Sequence, residues 1–319
     1  GADLECGSSD IRHYFRTHPV PRYTLSPDAD YPVINIEKGG LHADAAAQWE
    51  KEDVLPRIAR IEAGIKVNVV PATAQALILG MEKAEVERYL SSAREKTGAA
   101  FTAEDAPGGV RIACKGENAH ASTPEKGVNA LTALLTLLAA LPLKGKGADI
   151  ARGLTHIFPH GDFYGAGAGI AQEDRESGQL TIALTVLKMD EGGVRAQADC
   201  RAPLCATDEN LTDVMRAKYA SIGLAMDDNK MYPPHHVPKD SPLVLTLLSV
   251  YEDYTGEKGR CIAIGGGTYV HNLEGGVSFG AAFEGVNNTM HGPDEFAYKR
   301  HLLLTIMMYA QVIWELCKS

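Results

Sequence analysis

Leu180-Thr181-Ile182-Ala183-Leu184-Thr185-Val186-Leu187-Lys188-Met189 runs into Asp190-Glu191-Gly192-Gly193 and continues as Val194-Arg195-Ala196-Gln197-Ala198-Asp199-Cys200-Arg201. Two apolar runs joined by a short Gly-containing turn spell an antiparallel hairpin. In the second arm Val194, Ala196, Ala198 and Cys200 share one side, and Arg195, Gln197, Asp199 and Arg201 the other. That period of two is the signature of a strand with one buried face. Helical stretches lie on either side of the hairpin. A strongly apolar one starts at Thr123-Pro124, a hydroxyl cap followed by proline, and runs to about Leu141. Another covers residues 209–221. An antiparallel hairpin among helices argues for an α+β arrangement.

Further out, residues 64–70 alternate like a strand and stop at Pro71, 73–80 and 83–96 read as helices, and 110–115 as a strand. Residues 1–47 are short turns rich in Gly, Pro and Asp, with a brief helix near 9–15 and a strand at 33–36. Beyond the Pro/His-rich link 232–238, the pattern gives a helix at 242–254, a strand at 261–264, and Gly265-Gly266-Gly267-Thr268-Tyr269. A strand at 276–282 and a long closing helix at 296–316 follow. Composition changes near both joins, which divides the chain into 1–47, 48–240 and 241–319.

Composition narrows the function classes. The 319 residues are 45% hydrophobic and 23% charged, the mix of a globular protein. Lys plus Arg total 31 against 41 Asp plus Glu, a net charge of -10 that disfavours nucleic-acid partners. No apolar run reaches the ~18 residues of a membrane helix. Six cysteines without C-x-x-C spacing suggest free thiols and a reducing cytoplasm.

Several segments together resemble the PepV-like dipeptidases, co-catalytic zinc metallopeptidases that also include carnosinase and aminoacylase. Gly1-Ala2-Asp3-Leu4-Glu5-Cys6-Gly7 aligns with the family's Gly-Thr-Asp-Glu-Glu-Ser-Gly, and Ser26-Pro27-Asp28-Ala29-Asp30 with its Ser-Pro-Asp-Ala segment. Val67-Asn68-Val69-Val70-Pro71, Gly116-Glu117-Asn118-Ala119-His120-Ala121-Ser122-Thr123-Pro124 and Asp199-Cys200-Arg201-Ala202-Pro203 match further family stretches in order. Gly266-Gly267-Thr268-Tyr269 and Met290-His291-Gly292-Pro293-Asp294-Glu295 complete the set.

The resemblance implies an α/β catalytic domain of the zinc-exopeptidase type with an inserted α+β, ferredoxin-like lid over 48–240. It implies peptide-bond hydrolysis by a water held between two zinc ions, which lower its pKa and clamp the tetrahedral intermediate. Glu5, Asp28 and His291 would be metal ligands, and His120 would stabilise the oxyanion. Asn68 and Arg201 would bind the dipeptide's free carboxylate, which suits Arg's planar fork. Gly266 and Gly267 would let substrate backbone approach. Two features depart from the pattern. The family's proton acceptor corresponds to Leu4, and its His-x-Asp ligand and bridging aspartate fall upstream of Gly1. The expectation is therefore a truncated remnant of the catalytic domain, inactive or impaired as it stands, with exposed apolar surface and a tendency to homo-oligomerise.

Alternatives stay open at each position. A one-residue slide of the first motif would make Glu5 the base and Cys6 a ligand. His42-Ala43-Asp44 and His160-Gly161-Asp162 also spell His-x-Asp, the first at the start of an expected polar helix. Glu5, Asp28 and His291 could be plain surface groups, Arg201 a strand-end arginine paired with Asp199, and the glycines mere turn residues. At the level of function, the rivals are a non-catalytic peptide-carboxylate-binding or interaction protein, and a C-terminal fragment that needs a separate N-terminal chain.

Overall fold

The computed structural model describes residues 9–286, 288 and 294–318, apart from the side chains of Ser9 and Arg12. The chain divides into two compact units, 39–174 with 178–233, and the remainder up to 38, at 175–177 and from 234 onward. These joins fall earlier than the compositional ones at 47/48 and 240/241. At the first join the reason is the strand Gly39–Gln48, which pairs along its whole length with Gly193–Ala202 and so belongs to the inserted unit; at the second it is His235–His236, which pairs with Val33–Glu37 of the other unit.

The inserted unit is α+β, built on one eight-stranded sheet. Its order is Ala225–Met226, Gly39–Gln48, Gly193–Ala202, Thr181–Met189, Arg57–Ala63, Thr73–Leu79, Gly109–Lys115 and Ala100–Ala106, every neighbour antiparallel. The expected hairpin is there, with Met189 opposite Val194 and Thr181 opposite Arg201. Val194, Ala196, Ala198 and Cys200 are buried as the alternation requires, and Asp199 is the buried exception on the other face. Helices Lys83–Thr97, Ala130–Ala140, Lys146–Ile157 and Asp213–Ser221 bury their apolar sides in the same core as the sheet. Helix Ala130–Ala140 hides Leu131, Leu134, Leu135, Leu137 and Leu138.

Four local expectations are corrected. Thr73–Leu79 is a strand, not a helix; its burial alternates, and its backbone is claimed by Arg57–Ala63 and Gly109–Lys115 on either side. The stretch 64–68 is a turn, with Gly64 at φ 73° and Ile65 almost fully exposed, so only Val69–Val70 is strand. Thr123-Pro124 opens only a three-residue turn, Pro124–Lys126. The long helix begins later, where the Asn129 side chain accepts from the N–H groups of Leu131 and Thr132, a cap worth ~1 kcal/mol. Gly39–Gln48 also replaces the polar helix expected after His42.

The other unit is α/β. Its central strand, Val33–Glu37, is buried at every residue and pairs in parallel with Cys261–Ile264 and antiparallel with His235–His236 and Ser278. Leu25–Ser26 runs parallel to Val277–Ser278, and Ala29–Asp30 to Ala281–Ala282. Helix Pro242–Thr255, capped by the Ser241 hydroxyl, contributes Leu243, Val244, Leu247, Val250 and Tyr251 to a modest core. The last helix, Lys299–Cys317, buries Thr305, Met308 and Val312 there. Its remaining surface is unusually apolar: Leu302, Leu303, Ile306, Met307, Ile313 and Trp314 are each more than half exposed. No described helix is long and apolar enough to cross a membrane.

Candidate functional site

Asn68 and His120 are neighbours through backbone pairing. Val69–Val70 pairs antiparallel with Ala119–His120, and the Ala121 N–H donates to the Asn68 carbonyl at 2.9 Å. Val70 and Ala121 are fully buried against Ala183, so this ribbon is fastened to the strand Thr181–Met189. Asn118 adds a clamp, its side-chain oxygen accepting from the Ala72 N–H at 3.0 Å. The His120 side chain stays exposed, but its orientation is set. The Ser122 backbone N–H donates to Nδ1 at 3.2 Å, and the Ser122 hydroxyl lies 2.7 Å from the same nitrogen. A backbone N–H can only donate, so Nδ1 is the acceptor and the neutral ring carries its proton on Nε2.

Arg201 stands near the end of Gly193–Ala202, opposite Thr181 on one side and Gly40 on the other. Its guanidinium donates to Asp199 at 2.7 Å; the Asp199 side chain is fully buried and that of Arg201 nearly so. Burial opposes the charge of Arg201, but Asp199 beside it holds the guanidinium above its usual range. Tyr232 completes the group: burial pushes its phenol up while Arg201 pulls it down. Tyr232 bonds both ways to the Gly40 backbone, and a side chain at Gly40 would run into the Tyr232 ring and the Cys200 carbonyl. The ion pair left open by the sequence is thus present, and it fixes the guanidinium at the sheet's end.

Asp28 and the glycine run sit in the other unit. Asp28 is an exposed bend residue whose flanks are tied down: the Phe279 N–H donates to the Ser26 carbonyl at 2.8 Å, and the Ala29 N–H to the Gly280 carbonyl at 2.7 Å. Tyr269, two residues past Gly267, donates its hydroxyl to the Leu25 carbonyl at 2.5 Å. Burial raises its pKa, and the Asp28 charge adds to the rise. Asp28 and the end of the glycine loop therefore share one neighbourhood. Turn chemistry does not explain Gly266 or Gly267. Neither has positive φ, and an added Cβ would meet nothing nearer than 3.9 Å and 3.7 Å respectively.

Both His-x-Asp copies are otherwise employed. His160 Nε2 donates to the Thr97 carbonyl at 2.9 Å, which makes Nδ1 the acceptor from the Thr132 hydroxyl at 2.8 Å. Burial lowers its pKa below 6.5. Asp162 accepts four backbone N–H groups, from Tyr164, Gly165, Ala166 and Gly167. His42 is an exposed strand residue, and Asp44 accepts from Gln197 at 2.8 Å.

Leu4, Glu5, Cys6 and His291 lie outside the described residues. Of the three expected zinc ligands only Asp28 is described, and among the described residues no group of three His, Cys, Asp or Glu side chains is placed to hold a metal. The described residues alone therefore do not make up a zinc cage.

Sequence reading missed Ser122, Tyr232 and Glu37. The first two carry no pattern of their own. Glu37 did carry one: a carboxylate closing the apolar run Val33-Ile34-Asn35-Ile36 must be buried, and a buried charge needs donors.

Residues 106–217 match the family model described as a peptidase dimerisation domain. Over 321 residues the chain is 32% identical to YtjP of Bacillus subtilis (strain 168), named a dipeptidase, covering 100% of this chain and 68% of that one. It is also 32% identical over 322 residues to the Beta-Ala-Xaa dipeptidase of Lactobacillus delbrueckii subsp. lactis, with the same shares covered. Among solved structures, the aminoacylhistidine dipeptidase of Vibrio alginolyticus overlays with a TM-score of 0.47 at 12% identity, over 90% of this chain and 64% of that one. With a third of its residues identical across its whole length, the chain belongs to the M20 metallopeptidase family, among its dipeptidases.

Proposed function

We propose that this chain binds dipeptides by their free C-terminal carboxylate and that its own hydrolysis of them is impaired. In this reading Asn68 and Arg201 take the carboxylate, and Gly266 and Gly267 admit the peptide backbone. His120 donates from Nε2 to the carbonyl oxygen as negative charge develops there. The observation that carries the reading is the Ser122 N–H donating to His120 Nδ1, which leaves the imidazole a donor without protonating it. Donors fixed in advance at a developing oxyanion are among the largest contributions an enzyme makes. Glu5, Asp28 and His291 are kept as zinc ligands on resemblance alone.

Impairment rests on position 4. The family's proton acceptor there is a carboxylate, while Leu4 carries an isobutyl group that takes no proton. Loss of a general base costs about 10²–10⁴-fold in rate. The test is hydrolysis of Gly-Leu by the homogeneous chain in the presence of zinc. The expected result is no release above the zinc-only blank; robust turnover contradicts it. The match to a dimerisation domain supports self-association of this chain, and its thiols suit a reducing cytoplasm. Sedimentation that gives a monomer at working concentration argues against the first of these.

A second reading, a chain that works beside a separate polypeptide, is favoured by the exposed apolar side of Lys299–Cys317.

A further inference from the structure

We propose that Glu37 is a positioning residue for dipeptide binding, its carboxylate holding the far end of the Gly265–Gly267 loop while its own strand ties the near end. The inference rests on the reading of Gly266 and Gly267 as a place of close substrate approach.

Glu37 closes the buried strand Val33–Glu37 and is itself 1% exposed. An ionised carboxylate in such a place is costly unless donors surround it, and its donors are unevenly drawn. The Thr268 N–H lies 3.1 Å from both oxygens, and the Thr268 hydroxyl donates to Oε1 at 2.8 Å. His271 Nδ1 is 3.2 Å from Oε2, and the Ser278 hydroxyl is 3.3 Å from Oε1. Three of these four groups belong to the segment immediately after the glycines. Thr268 also accepts from the Val270 N–H, so the tether continues into the short turn Tyr269–Asn272.

The near end of the loop is tied to the same place. Ile264 is the parallel partner of Glu37, and its carbonyl accepts from the Lys38 N–H at 2.9 Å. Between these anchors stand three glycines. Glycine loses more conformational freedom on ordering than any other residue, and a Cβ at Gly266 or Gly267 would meet only ordinary van der Waals contact. The fold itself thus has no need of glycine at these two positions, and the missing side chains leave the loop backbone bare for an approaching peptide backbone. Glu37 supplies the order that the glycines give up.

The test uses the full chain with four readouts: thermal unfolding, amide exchange over 265–269, amide exchange in the strand Thr181–Met189, and calorimetric affinity for Gly-Leu. Glu37→Gln and Thr268→Val each remove a charge-assisted bond, so loop exchange should rise and Gly-Leu affinity fall by about tenfold or more. Exchange in Thr181–Met189 should stay unchanged. Thr268→Ser, which keeps the hydroxyl, should stay within about twofold of the parent, because the charge-assisted bond is retained. If Glu37→Gln fails to fold, Thr268→Val against Thr268→Ser decides. Unchanged loop exchange in Thr268→Val, or equal loss in Thr268→Ser, overturns the proposal. If the parent chain shows no affinity for Gly-Leu, the dipeptide reading fails by itself, and loop exchange alone decides the role of Glu37.

Discussion

The two units bury their apolar residues to very different degrees. Between residues 39 and 233, an eight-stranded sheet and four helices close over one continuous core, from Leu41 and Ala43 through Leu134 and Leu135 to Met215 and Tyr219. In the other unit a much smaller cluster gathers around Tyr31, Leu247, Phe279 and Met308, and the last helix leaves Leu302, Leu303, Ile306 and Trp314 in the open. A helix apolar on more than one side is a buried helix by pattern. The contrast teaches that the inserted unit has the means to be stable by itself, whereas the other has apolar surface still to cover.

The largest effect should come from the denser core. Leu134→Ala empties a fully buried position in helix Ala130–Ala140 and should cost about 2–5 kcal/mol in denaturant unfolding. A loss under 1 kcal/mol would mean that this core is loose and the contrast overdrawn. On the exposed helix, Leu303→Gln should move stability by no more than about 0.5 kcal/mol, while reducing self-association in sedimentation. A large stability loss there would show that the face is covered within the same chain.

The pH response should also report on the inserted unit. His160 is held neutral inside the inserted unit, with a pKa below the unfolded value of 6.5. As pH falls through 6.5 the unfolded chain takes up a proton that the folded one does not, so stability drops on the acid side and is retained above. His160→Gln should flatten that part of the profile, read by thermal unfolding between about pH 5 and 7. An unchanged slope would assign the acid sensitivity to other groups. Gly267→Ala should leave folding intact. Its backbone tolerates a Cβ, so stability should hold or rise by about 0.4–1 kcal/mol, while Gly-Leu affinity falls. Destabilisation would mean that the glycine serves the fold instead.

What the sequence made legible follows from where local pattern and tertiary pairing agree. The 181–202 hairpin, with its alternating second arm, turns on Gly192-Gly193 and folds as read. Thr73-Ala74-Gln75-Ala76-Leu77-Ile78-Leu79 is rich in helix formers, yet two flanking strands claim its hydrogen bonds, and pairing wins over propensity. The candidate site rests on residue types at Asn68, His120, Arg201, Gly266 and Gly267, which the sequence offers directly. Its second layer was not legible there. Ser122, which sets the tautomer of His120, and Tyr232, which seats against Gly40 beside Arg201, act through contacts that no spacing announces. Glu37 meets Thr268 across more than two hundred residues of chain.

Carboxylate recognition is tested most directly by comparing the affinity of the chain for Gly-Leu with that for Gly-Leu amide, by calorimetry at neutral pH. A charge-assisted grip on the terminal carboxylate is worth ~1.5–3 kcal/mol, so the free dipeptide should bind at least about tenfold more tightly. Equal affinity for the two, or preference for the amide, would contradict the account.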